Sequence, residues 1–251
     1  MIISSKSNLN FKFLKSLKEK KYRQKYKLFM VEKPVVIEEA SEYNPEYIAL
    51  SESAYSDNKF SEIINKVSDD KLFVFSDNIF KNLCDAVTSP GIIAYYKEIH
   101  REFNEESGKF IYLDDIREPG NLGGIIRSAN AFDLDGVIIS PNSVDLYNPK
   151  TVRSSMSSIF KVPIYFMDKE NLIKLGFNIL ATSLDNSTST RDYEFKDKDI
   201  VVIGNEAKGV SKFLMDNANG YLNIPISDSV DSLNANVAAS IIIYEMMKWI
   251  T

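Results

Sequence analysis

Three polar segments carry side chains suited to binding and proton chemistry, and each follows an apolar run of strand length. EPGNLGG, residues 118–124, holds Asn121 and leads into a stretch bearing Arg127. GNEAKG, residues 204–209, holds Glu206, and SDSVDSLNAN, residues 227–236, holds Ser232 and Asn234. An amide, a guanidinium, a carboxylate and a hydroxyl placed just past strand ends are groups that can hold a polar ligand. Several other chemistries have no residues to use. One histidine, His100, and one cysteine, Cys84, leave no usual zinc set and no disulfide within the chain. His100 stands in a charged stretch and reads as a solvated linker side chain. No GxGxxG follows a strand, and GNEAKG lacks the spacing and the Lys-Ser or Lys-Thr ending of a phosphate-cradling loop. A G-x-S-x-G elbow is missing, and a serine triad would have no histidine to draw on. Asp114, Asp115, Glu118 and Glu206 could gather, but acids near strand ends are commonly surface or capping residues, so no metal is expected.

The elements that must position these groups read as alternating strands and helices. Phe110–Leu113, a glycine-rich loop, a helix with Ile125, Ile126, Ala129 and Phe132 on one face, and Val137–Ile139 form a βαβ unit. Beyond it come a helix from Asn148 or Pro149 through Phe160, a strand at 162–166, a helix at 169–175 and a strand at 177–182. A polar loop, NSTSTRDYEF, precedes a strand at 200–203, a helix at 211–217, a strand at 221–226 and a long helix at 233–250. Continuous apolar strands between helices predict a parallel sheet covered on both faces, with ligands beyond the carboxyl ends of the strands. Ahead of this lies a small α/β sandwich. Asn8 caps a helix with Leu9, Phe13 and Leu17 on one face, and strands follow at 27–33, 47–50, 72–75 and 91–96. Helices are predicted from Pro34 to Ala40, around Phe60 to Val67, and from Ile79 to Leu83. The boundaries are a front domain at 1–96, a polar linker at 97–108 and a second domain at 109–251.

Composition narrows the setting. A hydrophobic content of 44% is ordinary for a globular chain, and no run is long enough to span a bilayer. The start has no apolar core of signal-peptide length, and a single cysteine fits a reducing, cytoplasmic setting. The net charge of −5 hides an asymmetry: residues 1–27 hold nine Lys or Arg against Glu19 alone, so they carry +8 and the remainder −13. Such a basic arm points to nucleic acid through Lys18, Lys20, Lys21, Arg23, Lys25 and Lys27, although a solvated helix face would have the same charge.

The three polar loops together, NLGGIIRSANAF, IGNEAKGVS and IPISDSVDSLNANVAAS, resemble the three signature motifs of the SpoU (TrmH-type) class of SPOUT RNA methyltransferases. The resemblance runs from Lys109 to Trp249, and KYRQKYKLFMVEK through TSPGIIAYYK looks like the substrate-binding domain often placed ahead of it. It implies an α/β fold whose C-terminal parallel sheet contains a trefoil knot, a homodimer with the site near the subunit interface, and S-adenosylmethionine (AdoMet) held bent in the knot. AdoMet contacts would fall largely on the backbone at Gly204, Ile224 and Leu233, with Ala181 and Thr182 near the adenine. Plain core packing would account for Ile224 and Leu233 as well.

The implied reaction is methyl transfer to a ribose 2′-hydroxyl of RNA, ribosomal RNA being favoured over tRNA because of the front domain. Asn121, Arg127, Glu206, Ser232 and Asn234 match the catalytic positions. The resemblance implies Arg127 as the general base. Because a guanidinium does not normally give up its proton in proteins, the expectation preferred here is a phosphate clamp that lowers the cost of an alkoxide. Proton removal by Arg127 is left as the alternative. Glu206 is expected to orient Arg127 or a residue of a neighbouring subunit. Capping alone could explain Ser232 and Asn234, and the glycines beside Asn121 are expected to leave room for RNA. Three departures from the family pattern stand out: Lys33 and Ala207 where Gly is common, and Asn236 where Ser is common, beside Ala235 in place of Val. The alternative is a non-catalytic RNA-binding or ribosome-assembly protein with the same fold.

Overall fold

In a computed structural model, which describes residues 2–40, 42–65, 67–85 and 88–248, the chain forms two compact units. One comprises Met1–Ile99 with Asp145–Phe160, the other His100–Val144 with Lys161–Thr251. Among the described residues no helix is long and apolar enough to cross a membrane.

The first unit is built on five strands: β1 (Ile2–Ile3), β2 (Leu28–Val31), β3 (Tyr47–Ser51), β4 (Leu72–Phe75) and β5 (Ile92–Lys97). Their order is β1-β4-β3-β5-β2, with β1, β4 and β3 parallel and β5 antiparallel to both β3 and β2. Helix α1 (Leu9–Ser16) is capped as predicted, the Asn8 side chain accepting from the N–H groups of Asn10 and Phe11. Its inward face matches the predicted one in part: Leu17 is buried and Phe13 packs against the core, but Leu9 is 80% exposed and Phe11 and Leu14 are buried instead. Both stripes are apolar, and the sheet selects the one carrying Phe11, which packs edge-on against Phe75. The basic arm is folded rather than extended. Residues Lys20–Tyr26 form α2, and Lys27, at φ 54°, turns the chain into β2.

Four short helices follow, α3 (Pro34–Glu39), α4 (Glu52–Ser56), α5 (Ser61–Ile64) and α6 (Asp77–Phe80). Lys33, in place of the common Gly, has φ −85°, which any residue adopts. The segment 145–160 packs in this unit through α8, introduced below, which lies against β2.

The second unit holds α7 (Pro119–Ala131) and seven strands, β6 (Phe110–Leu113), β7 (Gly136–Ile139), β8 (Ile164–Phe166), β9 (Asn178–Thr182), β10 (Thr188–Ser189), β11 (Asp199–Ile203) and β12 (Gly220–Asn223). The order is β10-β12-β9-β11-β6-β7-β8 and every pairing is parallel. Strand β10 arises inside the polar loop NSTSTRDYEF, where apolar periodicity gave no sign of it.

The chain's other helices are α8 (Pro149–Ser155), α9 (Ser158–Lys161), α10 (Lys169–Leu172), α11 (Lys212–Asn217) and α12 (Ala235–Met247). The single helix predicted from Asn148 to Phe160 is divided between α8 and α9 by Met156, at φ 54°. The last residues of the predicted terminal helix, 249–250, which include Trp249, lie outside the described residues.

One face of the sheet buries Phe110, Tyr165 and Phe177 with Phe103 of the preceding irregular segment. On α7 the buried residues are Leu122, Gly123, Ile125, Ile126 and Ala129. Helix α12 packs along α7, with Ser128 and Ser240 hydroxyls 2.7 Å apart.

Candidate active site

Strand β6 ends in two acids whose work is local. Asp114 is buried and its carboxylate accepts the Ser211 N–H at 2.7 Å, just before α11. Asp115 has φ 60°, and its carboxylate accepts the Ser140 hydroxyl at 3.0 Å. The Asp115 carbonyl accepts Asn205 Nδ2 at 2.7 Å, which ties the loop after β6 to the loop after β11. That second loop is closed by paired backbone bonds between Asn205 and Gly209, both 2.9 Å. Asn205 Oδ1 also accepts the N–H groups of Ala207 and Lys208. Gly204 has no room for a side chain, since a Cβ there would lie 2.2 Å from the carbonyl carbon of Gly209 and from Val210 N.

The tight loop presents Glu206. Its carboxylate accepts Asn121 Nδ2 at 2.8 Å and the backbone N–H groups of Arg117 and Glu118 at 3.1 and 3.2 Å. Asn121 Oδ1 in turn accepts Asn234 Nδ2 at 3.1 Å. Asn234 also caps α12, its Oδ1 accepting from Asn236 N and Val237 N. A continuous hydrogen-bonded chain, Glu206–Asn121–Asn234, therefore joins the three polar segments. Partial burial pushes the Glu206 carboxyl up, but its hydrogen bonds outweigh this and hold it below the ordinary carboxylate range. A carboxylate held below its ordinary range is a weaker base, and the Glu206 oxygens are engaged by Asn121 and two backbone N–H groups.

The glycine-rich stretch is helical rather than a loop. Glu118 is the N-cap and Pro119 opens α7, so Asn121 lies in the first turn and Arg127 nearly two turns further on. Arg127 is exposed and makes no hydrogen bond or ion pair among the described residues; the network that includes Asn121 does not extend to it. The space expected beside Gly124 is occupied: a Cβ on Gly124 would lie 2.5 Å from Asn236 Nδ2. The glycine serves helix packing here, and Asn236 fills the gap.

A cavity of about 520 Å³ opens beyond the carboxyl ends of β9, β11 and β12. Ile203, Leu222, Ile224, Leu233, Ala235 and Ala238 give it apolar walls, while Thr182, Asp185, Asn223 and Ser232 add polar ones. Of the positions proposed for the cofactor, Thr182, Gly204, Ile224 and Leu233 line it, whereas Ala181 is fully buried in β9 and does not. Sequence reasoning missed Asn205, Asp185 and the pair Ala235 and Ala238. Small residues three apart at the start of the last helix were the available signal for that pair.

The basic residues separate by environment. Lys20, Lys21, Lys25 and Lys27 are exposed. Beside them the rings of Tyr22 and Tyr26 stack at 6.4 Å, with Lys25 Nζ 5.2 Å from the Tyr26 ring. Arg23 does not belong with them. It is 2% exposed, its guanidinium pairs with Asp145 at 2.5 Å and donates to the carbonyls of Leu17 and Lys18, so it is a structural cation. Lys18 is engaged as well, by the Cys84 carbonyl at 2.7 Å and the Asp85 carboxylate at 2.8 Å. Burial pushes the Cys84 thiol up to about 11, which leaves it a poor nucleophile.

Comparison with known proteins agrees with this architecture. Residues 108–244 match the SpoU rRNA Methylase family, and residues 8–94 match the MRM3-like substrate binding domain. The chain is 28% identical over 252 residues to the 23S rRNA (guanosine(2553)-2′-O)-methyltransferase RlmP of Bacillus subtilis, covering 97% of this chain and 98% of that protein. The AdoMet-bound rRNA methyltransferase of Sinorhizobium meliloti shares the fold, with a TM-score of 0.88 at 23% identity over 100% of this chain and 98% of that one. A TrmH-family RNA methyltransferase structure from Porphyromonas gingivalis gives 0.82 at 25% identity, over 96% and 98%. With the three motif loops joined at one cavity and the family match spanning more than half its length, the chain belongs to the SpoU rRNA methylase family.

Proposed function

We propose that this protein transfers a methyl group from AdoMet to a ribose 2′-hydroxyl of RNA, with ribosomal RNA as its substrate. The observation that carries this reading is the Glu206–Asn121–Asn234 chain, which gathers all three motifs beside an apolar cavity. The cavity fits AdoMet in kind. Its apolar walls suit a flat adenine, its polar wall residues suit ribose and amino-acid groups, and its volume of about 520 Å³ falls in the range of small-molecule sites. Thr182, Gly204, Ile224 and Leu233 would hold the cofactor. When bound, AdoMet supplies a methyl group on a sulfonium, already a good leaving group.

The chain's own residues then have to align the hydroxyl and ease the loss of its proton. Glu206 fixes the Asn121 amide, and Asn121 fixes Asn234, so the wall facing the substrate is rigid before RNA arrives. Ser232 adds a hydroxyl beside Asn234 at the cavity. Arg127 clamps the RNA phosphate and stabilises the developing alkoxide. Its exposure and lack of a partner among the described residues support a homodimer with each site near the subunit interface. A trefoil knot around the cofactor and a cytoplasmic setting complete the proposal. Lys20, Lys21, Lys25 and Lys27 would meet RNA phosphates, with Tyr22 and Tyr26 available for stacking on bases.

Mapping 2′-O-methylation in rRNA and tRNA from cells with and without the gene tests this directly. Loss of one rRNA site supports it, loss of a tRNA site moves the substrate, and no lost site overturns the enzyme reading. Failure of the purified protein to bind AdoMet would favour the non-catalytic alternative.

A further inference from the structure

Two charged side chains line the cavity, Asp185 and Glu206, and both are carboxylates; no lining residue is basic. Glu206 is tied to Asn121 and two backbone N–H groups. Asp185 differs. The turn after β9 fixes its backbone, because Ser183 Oγ accepts the Asp185 N–H and donates to the Asp185 carbonyl, both at 3.1 Å. Its carboxylate accepts no hydrogen bond among the described residues, so its charge is not spent on a partner among them.

AdoMet and its demethylated product differ by one methyl group and one positive charge. At neutral pH the cofactor is a net cation through its sulfonium, and S-adenosylhomocysteine is net neutral. Apolar walls recognise the shared adenosine equally in both. A cavity whose fixed charges are all negative separates them by Coulomb energy. Resting on the methyltransferase reading above, we propose that Asp185 is a specificity residue that selects the cationic cofactor over the neutral product by charge. It thereby favours exchange of spent for fresh cofactor.

The test is calorimetric titration of the full-length wild type and Asp185→Asn with AdoMet, S-adenosylhomocysteine and sinefungin, an analogue bearing an amine in place of the sulfonium. Removing this charge from the cavity lining should weaken AdoMet and sinefungin by about three- to tenfold and leave S-adenosylhomocysteine unchanged. The AdoMet loss should shrink as salt rises, because Asp185 is exposed. Equal weakening of all three ligands would overturn the proposal in favour of a contact to a group they share, the adenosine or the α-ammonium, and unchanged affinity for all three would overturn it outright. Wild type that binds none of the three would instead refute the methyltransferase reading. Asp185→Asn is nearly isosteric at an exposed turn, and matching melting temperatures would confirm that folding is intact.

Discussion

Under the proposed function Glu206 holds Asn121, and the pH dependence of stability tests that bond. Its folded carboxyl lies below the ordinary range. The stability it contributes is therefore present above the unfolded carboxylate pKa and is lost as pH falls through the lower folded value. Because the side chain is exposed, that contribution is small. Thermal melts of wild type and Glu206→Gln should differ slightly at neutral pH and converge on acidification. Turnover is the more sensitive readout, and a loosened Asn121 should lower kcat by about 10- to 100-fold. Arg127 is the complementary case, an exposed charge with no hydrogen bond or ion pair among the described residues. Arg127→Ala should leave the melting temperature unchanged and reduce turnover by about 100-fold or more, with Arg127→Lys only a partial rescue. Near-normal turnover in either variant would remove Arg127 from the mechanism.

At the scale of elements, two glycines are fixed by what lies against them. Gly204 faces backbone at 2.2 Å, and backbone cannot rotate away. Gly204→Ala should open the Asn205–Gly209 closure, lower stability by about 1–3 kcal/mol and abolish AdoMet binding, as denaturant melts and titration would show. Gly124 faces the Asn236 side chain, which can move. Gly124→Ala gains helix propensity but displaces Asn236, so the single variant should be less stable by about 1 kcal/mol. The double variant with Asn236→Ser should recover wild-type stability or exceed it. Additive effects in that cycle would show that the two residues are not coupled.

At the scale of the whole molecule, the basic front end divides into buried or engaged cations that hold the fold and exposed lysines that the proposed function assigns to RNA. Arg23→Ala would strand Asp145 without its ion pair and should destabilise the first unit by about 3–5 kcal/mol in denaturant melts. Lys21→Gln with Lys25→Gln should leave stability alone. It should lower RNA affinity and reduce the slope of log affinity against log salt by about 1.4 to 1.8. An unchanged slope would move the RNA-binding face elsewhere.

Much of this protein was legible in its residues. Apolar runs of four or five residues between helical patterns marked every longer strand, because burial on both faces requires continuous hydrophobicity. The strand ends marked the three polar loops as the ligand edge of a parallel sheet, and the family resemblance picked out Asn121, Glu206 and Asn234 within them. Other features were decided only in three dimensions. Nothing in periodicity distinguishes the Leu9 stripe from the Phe11 stripe of α1; the sheet beneath makes that choice. Local charge cannot separate Arg23 from Lys21, since the partner that buries it, Asp145, lies far along the chain. EPGNLGG read as a loop because glycine is a poor helix former. It is a helix, and Gly124 allows the Asn236 side chain of α12 to approach α7 closely. Residue types determined which groups could do chemistry. Tertiary contact determined which of them meet, because Glu206, Asn121 and Asn234 are joined by bonds spanning 85 and 113 residues.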